Sequence, residues 1–188
     1  MVEWPRGVHS DDHSLWVGLI PLTDTVLQCE FLRAIPRKLI PLLIDLAQVR
    51  VYPPRAILFQ EGVAHGEFHI VASRHVRLDM AIPGRGRVPI LSAGPGDALA
   101  WSALAPQQIM TSTAVALQPV KTIAFDGDAL RQLCERNHEI GYYVMRQLET
   151  ALSHRLVATR LQLLDLFADQ VPVVDTAPVE GRPGDPEC

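Results

Sequence analysis

From Val49 to Phe125 the chain is cut into short runs rich in β-branched residues, each closed by glycine, proline or aspartate. That punctuation is the pattern of an all-β sandwich or barrel, because each run is long enough for one short strand and the turn former behind it reverses the chain. Six to eight strands are expected, among them 49–52, 56–59, 68–72, 76–82, 88–91, 111–117 and 121–125. Pro83-Gly84-Arg85-Gly86 reads as a hairpin tip. One segment breaks the rhythm: Gly94-Pro95-Gly96-Asp97 leads into Ala98 to Leu104, a run of small and large apolar residues that predicts one or two helical turns capped by Asp97.

Helical spacing flanks this region on both sides. Pro36 stands where a first helical turn tolerates proline, and Leu39, Ile40, Leu42, Leu43, Leu46 and Ala47 follow at amphipathic intervals. A helix ending near Gln48 is predicted, with a kink or restart at Pro41. A further short helix is expected within 19–32. Behind the strands, Asp126 or Asp128 can cap a helix over 129–136, and Asn137 can cap a much longer one reaching about Phe167, some 45 Å at 1.5 Å per residue. On it Leu148, Leu152, Leu156, Thr159, Leu163 and Leu166 recur in steps of three and four, close to the seam of a two-stranded coiled coil. These residues are the expected interface of a homodimer. Residues 1–18 have no period and read as a flexible arm, 19–135 as the β-domain with its flanking helices, 136–168 as the dimerisation helix, and the proline-rich 169–188 as a disordered tail.

The fold class that results is mainly β with α, a sandwich or barrel with short N-terminal helices and a long C-terminal one. At 188 residues, 48% hydrophobic and 20% charged, the chain can bury a sizeable core. No apolar run reaches the roughly 20 residues of a membrane span, and the N-terminus lacks the basic-then-apolar order of a signal peptide, so a cytoplasmic protein without a membrane partner is expected. A net charge of −4 argues against nucleic acid as a direct partner. Cys29, Cys134 and Cys188 are too scattered for a disulfide framework or a zinc site. His65, His69 and His75 form the one histidine cluster and are expected at the surface or at strand ends, with no metal. Ser102 and Ser112 lack a nucleophile elbow, and with no paired-carboxylate or phosphate-loop signature the chain is not expected to be an enzyme. Arg146 can pair with Glu149, whereas Arg155 and Arg160 have no acid three or four residues away and are expected to face solvent.

Four stretches carry a family resemblance. Phe31-Leu32-Arg33-Ala34-Ile35-Pro36, Ile57-Leu58-Phe59-Gln60-Glu61-Gly62, His69-Ile70-Val71-Ala72-Ser73 and Gly94-Pro95-Gly96-Asp97 resemble the entry motif, the strand-and-turn signature, the third strand and the cassette opening of the cyclic nucleotide-binding domain family, the β-roll of the cAMP receptor protein. The resemblance spans about Phe31 to Phe167 and implies a double-stranded β-helix of jelly-roll type, with a cassette in which free backbone N–H groups hold a phosphate. It also implies a Gly-Glu pair that accepts the ribose hydroxyl and, about ten residues on, an arginine that pairs with the phosphate. Gly96-Asp97 resembles the pair with its acid one methylene short. Ile109-Met110-Thr111-Ser112 stands in the arginine region, and no arginine occurs from Ala98 to Ser112. Arg74 replaces the glycine expected after the third strand.

The candidate pocket implied is Gly96, Asp97, Ala98, Leu99, Ala100, Trp101, Ser102, Met110, Thr111 and Ser112, with Thr159 resembling a threonine that reaches the ligand across the dimer. Trp101 stands to stack on a ligand or to fill the space. The expectation is a stand-alone regulatory or sensor domain that does not bind cAMP in the ordinary way, with no cofactor. Its partners would be a second copy, another protein of unknown identity and a small molecule. The alternatives are a ligand-free dimeric adaptor and weak cyclic nucleotide binding through Asp97 and the cassette backbone. Only about twenty residues follow Phe167, so no helix-turn-helix is expected.

Overall fold

The structure, a computed structural model, describes residues 29–167. The expected arm at 1–18 and tail at 169–188 lie outside the described residues. The chain enters through a single helical turn, α1 (Glu30–Arg33), then a 3₁₀ turn at Arg37–Leu39 and α2 (Ile40–Ile44). The helix expected to reach Gln48 therefore stops earlier. Pro41 falls in the first turn of α2, where its missing N–H costs nothing, so it restarts the chain rather than kinking it. Ala47, read as the helix's last apolar position, already pairs with Phe125 in a sheet.

Eight strands follow: β1 (Ala47–Tyr52), β2 (Ile57–Phe59), β3 (Glu67–Ser73), β4 (Val76–Ile82), β5 (Gly86–Ala93), β6 (Ala98–Leu99), β7 (Thr113–Ala116) and β8 (Val120–Asp126). They form two antiparallel four-stranded sheets, ordered β1-β8-β3-β6 and β2-β7-β4-β5, which face each other as a roll. The β4–β5 hairpin closes as expected, with Ile82 opposite Gly86 and positive φ at Gly84 and Gly86. Pro89 is tolerated because β5 is an edge strand and the register slips beside it, between Leu78 and Asp79.

Two helices complete the fold, α3 (Gly127–Arg136) and α4 (His138–Phe167). Asp126 caps α3 by accepting the Ala129 N–H at 2.8 Å, and Asn137 accepts the Ile140 N–H at 3.2 Å at the start of α4. Asp128 caps neither. It takes the Arg131 guanidinium and the Gln108 amide instead.

The outer face of the first sheet carries Phe68 and Phe125 against Phe31, with ring centroids 5.8 and 6.3 Å apart along the row. Ile140 and Val144 of α4 and Leu130 of α3 belong to the same buried cluster. The inner face contributes Val71 and Leu99, and the second sheet Val76, Leu78 and Ala114.

Candidate ligand-binding site

The cassette begins where the chain leaves β5. Gly94 to Asp97 form a tight turn with Gly96 at φ 92°, and the turn is tied to β3 by Gly96 N–H to Val71 O at 2.8 Å and Val71 N–H to Asp97 O at 2.9 Å. Asp97 does not cap a helix. Its Oδ2 accepts the Gly94 N–H at 2.7 Å, so the carboxylate closes its own turn. Ala98 and Leu99, expected to start a helix, instead make β6 opposite Ile70 and His69. The backbone then reverses through Ala100 in the left-handed region, φ 54° and ψ 38°, and Trp101–Leu104 form a 3₁₀ turn. The helical character of the segment thus begins three residues later than expected, and Ala100 rather than Asp97 stands at its cap, contributing no side-chain hydrogen bond.

The second half of the cassette is less open than expected. Met110 is buried at 2% exposure, and its backbone is held by Val63 O and the Gly62 N–H. Thr111 is exposed and Ser112 half-buried, and neither lies in a strand, since β7 begins at Thr113. Ser102 is half-buried beside Trp101. Thr159 is exposed, and its hydroxyl donates to the Arg155 carbonyl of its own helix at 2.9 Å. The structure therefore brings Gly96 to Ser102 together and leaves Thr159 of the same chain apart from them.

One residue at this site was expected elsewhere. Arg155, predicted to face solvent, extends from α4 across Trp101, its guanidinium carbon 4.4 Å from the ring centroid, and donates from Nη2 to the Ala98 carbonyl at 3.1 Å. Burial lowers its pKa, while the Asp97 carboxylate pulls the other way. A guanidinium stacked on an indole and bonded to a carbonyl recovers part of the hydration it gives up. The missing signal was helical phase. Arg155 continues the roll-facing stripe Ile140, Val144, Leu148, Ala151 and Ala158, all buried or half-buried, whereas Leu152, Leu156 and Thr159 point outward. Arg160 is exposed as expected, and Glu149 accepts from Ser153 Oγ at 3.0 Å.

The outward face of α4 exposes apolar residues among polar ones: Met145, Leu152 and Leu156, with Glu149, Ser153 and the edge of half-buried Leu148, line a shallow groove of about 350 Å³, and a neighbouring one of about 570 Å³ lies between Cys134, Gly141 and Tyr142. The side chains of Leu163 and Leu166 lie outside the described residues. No helix among the described residues is long and apolar enough to cross a membrane.

Of the clustered histidines, His69 departs from the surface or strand-end position expected, whereas His75 meets it. His69 is fully buried, its Nδ1 3.2 Å from Thr122 Oγ1 and its Nε2 3.0 Å from Nε2 of half-buried His65. His75 follows the left-handed Arg74 at the β3–β4 turn and is exposed.

An eight-stranded roll with a turn-led 3₁₀ segment between its sixth and seventh strands, and a long helix behind it, is the β-roll fold of cyclic nucleotide-binding domains. Residues 49–137 match the family model described as the cyclic nucleotide-binding domain, a family of regulatory rather than catalytic domains. Among solved structures, a cyclic nucleotide-binding domain from Methylobacillus flagellatus KT is 19% identical, with a TM-score of 0.66 over 79% of this chain and 84% of that one. The catabolite activator protein of Thermus thermophilus is 23% identical, with a TM-score of 0.59 over 73% of this chain and 62% of that one. The c-di-GMP-responsive global regulator CLP of Xanthomonas campestris is 17% identical, with a TM-score of 0.62 over 70% and 64%. At these identities the likeness is one of fold. No curated protein sequence matches the chain.

Proposed function

We propose that this chain is a regulatory domain of the cyclic nucleotide-binding type in which the contact between Arg155 and the cassette is the switching element. The observation that carries the reading is the seating of Arg155 on Trp101 and on the Ala98 carbonyl. It is a direct bond between the segment that would hold a ligand and the helix that would transmit its presence. An anionic ligand at the cassette competes with Trp101 and Ala98 for this guanidinium, and differential binding to the latched and unlatched states is what shifts such an equilibrium.

Ordinary cAMP sensing does not fit these residues. The acid of the opening pair is engaged with Gly94, and the arginine region offers only a buried Met110. A charge-assisted hydrogen bond contributes about 1.5–3 kcal/mol, so its loss together with the shortened acid weakens binding by roughly one to three orders of magnitude. The outward stripe of α4 is read as the surface for a second copy of the chain. Its seam spacing matches a two-stranded coiled coil, and the helix runs on past the roll contact at Ala158.

The test is native mass spectrometry with and without cAMP and cGMP, combined with hydrogen exchange on Arg155→Ala. A dimer that gains no mass at micromolar nucleotide is expected, and the variant should exchange faster in both 98–104 and the last turns of α4. Tight nucleotide binding, or exchange unchanged over 98–104, would overturn the reading. A ligand-free adaptor is the second reading, favoured by the same observation, since the chain's own side chain already covers Trp101. A small anion retained from the cell decides for the sensor. Heat on titration with millimolar cAMP would instead favour weak nucleotide binding through Asp97.

A further inference from the structure

We propose that His65, Glu67 and His69 form a binding site for a divalent transition-metal ion of the zinc class, on β3 and the segment before it, beside β6.

The chain places these groups together for local reasons. Glu67 and His69 are two residues apart on β3 and so share a face of the strand. His65 precedes the strand, held by its N–H to Gln108 O at 3.0 Å, and its ring stacks on that of His69 with centroids 5.3 Å apart. Nε2 of His65 and Nε2 of His69 are 3.0 Å apart, Nε2 of His69 and Oε2 of Glu67 are 3.8 Å apart, and all three donor atoms lie within 4.8 Å of one another. A tetrahedral ion with bonds of about 2.0–2.1 Å separates its ligand atoms by roughly 3.3 Å, which falls between the two measured distances. Side-chain adjustments of less than about 1 Å close the set.

The surroundings favour a ligand set over simple burial of a histidine. Thr122 Oγ1 stands at Nδ1 of His69; with the ring proton donated to it, Nε2 is left as a free lone pair aimed at His65 and Glu67. That atom faces a second imidazole nitrogen and a carboxylate oxygen. Glu67 is fixed from behind by a two-pronged contact with Arg50, Nη2 donating to Oε1 and Nε donating to Oε2 at 3.4 Å, and Oε2 is the oxygen that faces His69. The rings of Phe59 and Tyr52 flank the two imidazoles. Two nitrogens and one oxygen suit zinc better than calcium or magnesium, and because His65 and Glu67 are half-exposed a fourth position is open to water.

The experiment uses the full, untagged chain. Zinc sulfate is titrated against a chromophoric chelator, and cobalt(II) is added in parallel for its absorption spectrum. One ion per chain is expected, with cobalt bands of a nitrogen–oxygen site and no sulfur-to-metal charge transfer. His65→Gln and Glu67→Gln, both at half-exposed positions, should each weaken zinc by about tenfold or more, and Thr122→Val, acting as a positioning residue, by about tenfold. Circular dichroism confirms that each variant is folded. No stoichiometric binding at tens of micromolar zinc would overturn the proposal. So would affinity unchanged in both His65→Gln and Glu67→Gln, or a sulfur charge-transfer band placing the ion on Cys29, Cys134 or Cys188.

Discussion

Arg74 turns the chain from β3 into β4 with φ at 69°, exposed to solvent, at the position where the family motif leads one to expect glycine. An L-residue held in the left-handed region costs about 1–2 kcal/mol, of which glycine gives back about 0.5–1 through its greater freedom in the unfolded chain. Arg74→Gly should therefore stabilise the protein by about 0.5–1 kcal/mol, a rise of roughly 1–4 °C in the thermal midpoint. A lower midpoint would mean that the arginine makes up the strain through its side chain. This departure was legible in the sequence because the residue type alone signals it. Arg155 was not legible in the same way. Scoring it by charge partners three and four residues away assigned it to solvent, whereas its helical phase with Val144, Leu148 and Ala151 turned it toward the roll and a π face. His69 was misplaced for a related reason. Its ring partner is His65, four residues away, and a buried strand of Phe68, His69, Ile70 and Val71 has no polar side from which burial could be read.

At the scale of elements, the junction between roll and helices is governed by Gly127. Its N–H donates to Gly66 O at 2.8 Å, and a Cβ there would run into the Ala103 carbonyl at the end of the cassette's 3₁₀ turn. Gly127→Ala should destabilise the fold by about 1–3 kcal/mol, the usual range for overpacking, despite alanine's better helix propensity. Urea unfolding with an unchanged m-value is the measurement, and a stabilised variant would show that the turn yields freely. Most strand bounds followed from short β-branched runs and their turn formers, which is why β1 to β5, β7 and β8 appear near their expected positions. β6 escaped because Ala98-Leu99 contains no β-branched residue and is too short for any period. The helix over 36–48 was overextended because Leu42, Leu43 and Leu46 fit a helical stripe equally well when the last of them leads into β1.

For the whole molecule, the consequence of two stripes on one helix is that α4 serves two surfaces at once. Its inner stripe is covered by the roll, while Met145, Leu152 and Leu156 are 47%, 38% and 52% exposed on the outside. If a second copy covers them, Leu152→Asp with Leu156→Asp should halve the mass measured by light scattering without loss of β-structure, because neither side chain belongs to the core. A double variant that stays dimeric would move the interface to another face.

The sheet β1-β8-β3-β6 ends in a strand of only two residues, and the Ala98 carbonyl on that strand is taken by Arg155. An open sheet edge is a template on which another chain can add a strand, and natural proteins blunt such edges with short strands and long charged side chains. The guanidinium that links cassette to helix therefore also places a charge on the backbone of that edge strand.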